Sequence, residues 1–137
     1  MINIPESVWN LMRTEVGPEF SDIFPRFVRG MIDRMVMSAF KYGPVTPDLP
    51  KTRDMMATIK LRLQKYEDTH NTEFLMDVAN FCAMEFTFPS FSDATFKATD
   101  SEASPGIVNP DGSVTHQGPE KLLQRSKDRR EMKAFWK

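Results

Sequence analysis

Apolar residues recur at helical period through three successive segments of this 137-residue chain, and no comparable stretch alternates in the way a strand would. In PEFSDIFPRFVRGMIDRMVMSAFKYG, residues 18–43, Phe20, Phe24, Phe27, Met31, Met35 and the pair Ala39/Phe40 follow at steps of three to five. That spacing lays one broad apolar stripe along a helix. Pro25 falls inside it and should kink the helix or split it in two. Gly43-Pro44 is a stop signal. A shorter helix precedes it over 5–16, with Pro5 in the first turn and Trp9 and Met12 on one side. The expected fold is therefore all-α: four to five helices around a Phe/Met-rich core.

VTPDLP reads as a loop, and a third helix is expected from about Pro50 to Asp68 on Met56, Ile59, Leu63 and Tyr66. Asp68-Thr-His-Asn71 is a tight connection, which sets the third and fourth helices side by side and antiparallel. Asn71 or Thr72 can cap the fourth, with Glu73 at its positive dipole end. In this fourth helix Leu75, Val78, Ala79, Cys82 and Phe86 share one face, the one expected to be buried. Glu73, Asp77, Asn80 and Met84 form a second stripe, which faces either water or a cleft. Two carboxylates without cationic partners are costly to bury, so Glu73 and Asp77 are expected to be partly exposed. Gly30, alone in a helix, suits close helix packing.

From 87 to 118 the periodicity ends in a run rich in proline and glycine. Phe88, Phe91 and Phe96 suggest that its first half lies against the core, while the acidic run 100–102 suits solvent. Asn-Pro-Asp-Gly between Ile107-Val108 and Val114-Thr115 predicts a tight turn with short flanking strands. Residues 1–118 are read as one helical domain with an irregular end. Gly118-Pro119-Glu120 then opens a basic helix over 119–137, which holds seven basic residues against three acidic ones. Its partner-binding candidates are Arg125, Arg129, Arg130, Lys133, Phe135 and Trp136, since cations interleaved with aromatics can engage an acidic protein, or phosphates and bases. Nucleic acid is the less favoured of these, because the segment's excess is only four positive charges, with three acidic residues among the basic ones.

Composition excludes several classes of function. Cys82 is the single cysteine, so neither an intramolecular disulfide nor a cysteine-rich metal site can form. The two histidines, His70 and His116, rule out a histidine-rich centre. The N-terminal segment lacks the basic start and apolar run of a secretory signal, and no apolar stretch suits a membrane span. A cytoplasmic setting follows as the expectation. Ser101 and Ser104 lack a nucleophile-elbow context, and no glycine loop is built to cradle phosphate.

KYEDTHNTEFLMDVANFCAMEF and the later FKATDSEASPG carry a resemblance. The pattern Lys-Tyr-x-x-Thr-x-Asn, Glu-Phe-Leu-x-Asp-Val-Ala-Asn-Phe, Ala-Thr-Asp-Ser-x-x-Ser-Pro-Gly spans residues 65–106. It resembles small proteins encoded by tailed bacteriophages, particularly those of actinobacteria. The resemblance implies a phage origin and assigns no activity. The layout from SAFKYGP to MDVANF is also similar to MazG-like phage nucleotide pyrophosphohydrolases. In that reading Glu73 and Asp77 would bind magnesium, Asn80 would orient a ligand or water, and Lys41 and Arg62 would meet phosphates. An oligomer would then be needed, because the family's earlier Glu-x-x-Glu pair is missing here.

The leading expectation is non-enzymatic: a phage accessory protein that binds protein, itself and a host component, with no cofactor. Met35, Met37, Met55 and Met56 exceed what so small a core can hold, and surplus apolar surface favours a partner. A virion or assembly component is a further possibility.

Overall fold

The computed structural model describes residues 3–99 and 104–116 and is helical, with one two-stranded ribbon. The basic segment 119–137, with Arg125, Arg129, Arg130, Lys133, Phe135 and Trp136, lies outside the described residues, as does the acidic run 100–102. The chain divides into two compact units, residues 18–94 and the remainder.

In the first unit α2 runs from Pro18 to Tyr42 without a break. The split expected at Pro25 does not occur. Proline removes one backbone hydrogen bond and presses on the preceding turn. Here the rings of Phe20, Phe24 and Phe27 stack across that turn, with centroids 5.5 and 6.5 Å apart. Gly43, at φ +85°, ends the helix as expected, its N–H donating to the Ala39 carbonyl at 2.9 Å.

The single helix expected from Pro50 is two. A turn of helix, α3, covers Leu49–Thr52, and α4 starts afresh at Met55 and runs to Thr69. The break is made by Arg53 in extended conformation and by Asp54, whose carboxylate caps α4 by accepting from the Ala57 N–H at 3.0 Å. An aspartate before Met-Met-Ala-Thr is a recognisable N-cap, and that cue outranks the longer periodicity.

His70 adopts the left-handed conformation (φ 58°) and turns the chain into α5, Glu73–Thr87. Asn71 Oδ1 accepts from the Glu73 N–H at 3.1 Å. This short connection lays α4 against α5, the most extensive helix pairing of the unit, and α2 packs on α5 as well. At Gly30, a Cβ would lie 2.7 Å from Cε of Met76, so the missing side chain lets α5 approach α2 closely.

The orientation of α5 overturns the expected burial. Cys82 is exposed and Phe86 is 74% exposed. Leu75, Val78 and Ala79 are half-buried. The buried residues are Asn80 and Met84, which belong to the stripe read as polar. Ten of the fifteen residues of α5 are apolar and they surround much of the helix, so periodicity alone leaves its rotation open. The inward face is the one whose polar groups find partners. Phe91 and Phe96 are exposed too, so the 87–99 segment does not carry its aromatics into the core, and only Phe88 is half-buried.

In the second unit α1 spans Glu6–Glu15 and ends before Gly17. Ile107–Val108 pair antiparallel with Val114–Thr115, in register Ile107 opposite Thr115. The Asn-Pro-Asp-Gly turn forms as expected: Gly112, at φ +86°, donates to the Asn109 carbonyl at 2.9 Å. Asp111 accepts from the Ser113 N–H at 2.9 Å and from its hydroxyl at 2.6 Å. These bonds favour the carboxylate and hold Asp111 below the usual aspartate pKa.

Candidate functional site: a charged cluster beside a groove

Glu73, Asp77, Asn80, Phe81 and Met84 fall at i, i+4, i+7, i+8 and i+11, which places them on one side of α5. Two arginines reach this face from different helices. Arg34 of α2 donates through Nε to Asp77 Oδ1 at 2.7 Å and through Nη1 to Glu73. Arg62 of α4 donates through Nε to Asp77 Oδ2 at 3.3 Å. One carboxylate therefore ties α2 and α4 to α5. Asp77 is 16% exposed, whereas Glu73 lies on the rim and is mostly open. The Asp77 bond, with the charges of Asp77 and Glu73, raises the Arg34 pKa above its ordinary value against the opposing effect of burial.

The cluster continues inward. The Arg62 guanidinium lies over the Phe81 ring, 5.5 Å from its centroid, a cation–π contact. Asn80 is buried and its amide donates to the Met31 carbonyl of α2 at 2.9 Å. No buried side-chain nitrogen or oxygen among the described residues lacks a hydrogen-bond partner.

Beside the cluster is a groove of about 780 Å³ whose lining comes from α2, the 43–53 connection, α4 and α5. Lys41, Arg62 and Asp77 all line it. Asn80 does not; its amide is committed to α2. The residues singled out on sequence grounds thus separate into three roles. Asp77 and Arg62 join helices, Asn80 closes the α2–α5 contact, and Lys41 stands on the groove without a partner among the described residues.

The pairing explains why Asp77 is tolerated inside: its charge is matched by guanidinium groups on two sides. Arg34 was the missed residue. The signal was available only as an arginine on the Met31/Met35 side of α2, where a cation has no reason to be unless an anion faces it. For a divalent cation the same pairing is an obstacle, since each Asp77 oxygen already accepts from a guanidinium. Among the described residues no three carboxylate, histidine or cysteine side chains converge. No helix among them is long and apolar enough to cross a membrane. Compared with known proteins, the chain matches no family model, no curated protein and no solved structure.

Proposed function

We propose that this chain is a small bacteriophage accessory protein that acts by binding protein, both a second copy of itself and a host-encoded partner. One observation carries the reading: α2 presents Ile32, Val36 and Phe40 to solvent at i, i+4 and i+8. All three are at least half exposed, Phe40 to 82%. Isolated apolar side chains on a surface need no explanation, but a stripe two turns long does.

The interior supports the same view. Among the described residues only Met55 and Met84 are buried apolar side chains, while Met37 and Phe86 are exposed. A helical unit with so small an interior gains by covering more apolar area through association. The bacteriophage attribution rests on the resemblance of residues 65–106, and the host partner on the scale of the exposed surface relative to the chain.

Light scattering after gel filtration and affinity capture from host lysate test the proposal together, using the wild type and a Val36→Glu/Phe40→Glu variant. A dimer or larger species and one reproducibly captured host protein are expected, both lost in the variant. A monodisperse wild-type monomer that captures nothing would overturn the reading.

A further inference from the structure

The groove beside the charged cluster combines two kinds of surface that neither the helix contacts nor the apolar stripe requires. Its volume, about 780 Å³, falls in the range of small-ligand sites, roughly 300–1,000 Å³. Met55, Phe81 and Met84 give it an apolar inner surface, with both methionines buried. Thioether side chains adapt to varied apolar shapes.

The charges around that surface are unbalanced. Arg34, Lys41, Arg53 and Arg62 line the groove against Asp33 and Asp77. Asp77 is matched by Arg34 and Arg62. Lys41 has no partner among the described residues, and Arg53 donates only to the neighbouring Thr52 carbonyl. The Nε of Arg62 is held by Asp77, which leaves its two Nη groups without an acceptor among the described residues. Its guanidinium also lies over the Phe81 ring, 5.5 Å from the centroid. A guanidinium anchored at one edge and free at the other is set up to receive an anionic group with little further ordering.

We propose that this groove binds a small amphiphilic anion: a carboxylate or phosphate monoester held by Arg62, Lys41 and Arg53, with an apolar body on Met55, Phe81 and Met84. A bare inorganic anion would leave the apolar surface wet. A cation would meet a net positive rim. A neutral apolar molecule would leave three cations without a counter-charge. The site is independent of the proposed protein-binding stripe, since Ile32, Val36 and Phe40 do not line the groove.

The test is an amide-resolved NMR titration of the full chain with sodium decanoate and with decyl phosphate, below their micellar concentrations. Decanol and inorganic phosphate are the controls. A Lys41→Ala/Arg53→Ala variant removes two exposed cations that hold no carboxylate in the groove, so the fold is kept. Saturable shifts at Phe81, Met84 and Arg62 are expected with at least one of the two anions. Binding should weaken about tenfold or more in the variant and for decanol, the scale of one lost charge-assisted contact. Equal binding of decanol, undiminished binding by the variant, inorganic phosphate binding as tightly as the amphiphiles, or shifts confined to the stripe residues Ile32, Val36 and Phe40 would each overturn the proposal, as would no saturable shift at all.

Discussion

The side-chain amide of Asn80, buried in α5, donates to the backbone carbonyl of Met31 inside α2 at 2.9 Å. A carbonyl already engaged in its helix accepts a second bond through its remaining lone pair. The contact favours the rotation of α5 that turns Asn80 towards α2, since any other would leave the buried amide without this acceptor.

Replacing Asn80 by Asp keeps the shape and inverts the polarity. At neutral pH a carboxylate would face a carbonyl oxygen in a buried site, so the variant should lose about 2–3 kcal/mol. Its folded-state pKa would be raised, because the protonated form can donate to Met31 and the charged form cannot. The penalty is thus full above the folded pKa and is relieved as pH falls towards the unfolded value of about 3.9. Urea midpoints for variant and wild type, compared at pH 7 and pH 4, should converge at the lower pH.

Asp77→Ala leaves Arg34 and Arg62 facing each other without their shared acceptor. A loss of about 2 kcal/mol is expected, well beyond an ordinary surface change. A double-mutant cycle with Arg62→Met measures the pairing directly. A coupling near zero would show that the carboxylate contributes nothing to holding α4 on α5.

Phe86 and Met84 are two residues apart on α5 and should respond to truncation very unequally. Phe86→Ala removes a ring that is 74% exposed and should change stability by less than about 1 kcal/mol in the monomer. Met84→Ala opens a cavity at a buried position and should cost about 3 kcal/mol. Chemical denaturation of both variants at low protein concentration decides the orientation of α5.

The ribbon of the second unit depends on Gly106. It sits at φ +81°, and a Cβ there would come 2.7 Å from the Thr115 carbonyl oxygen. Gly106→Ala should cost more than about 1 kcal/mol from the backbone conformation alone, before the clash. The readout is loss of the cross-strand amide contacts between Ile107 and Thr115.

Asp111 gives that ribbon a pH dependence. Its folded pKa is depressed by the Ser113 bonds, so its contribution is present above the unfolded aspartate value and is lost as pH falls through the lower folded value. The Ser113 amide resonance should therefore move only below about pH 4. Movement centred near neutrality would contradict the observed bonding.

The sequence by itself determined the helical class, the stop at Gly43, the turn at 68–72 and the Asn-Pro-Asp-Gly ribbon. Each of these is local: a glycine at positive φ, a short capped connection, or an apolar period within one segment. Tertiary structure decided which way α5 faces. Leu75, Val78, Ala79, Cys82 and Phe86 form as apolar a stripe as any helix needs, yet Cys82 and Phe86 face solvent. The inward face holds Asp77 and Asn80, because Arg34, Arg62 and the Met31 carbonyl lie where those groups can be satisfied. Arg34 is 43 residues from Asp77 in the chain, so the pairing leaves no periodic trace. Periodicity reports which residues share a face. Whether that face is buried depends on the charges and acceptors that other helices bring to it.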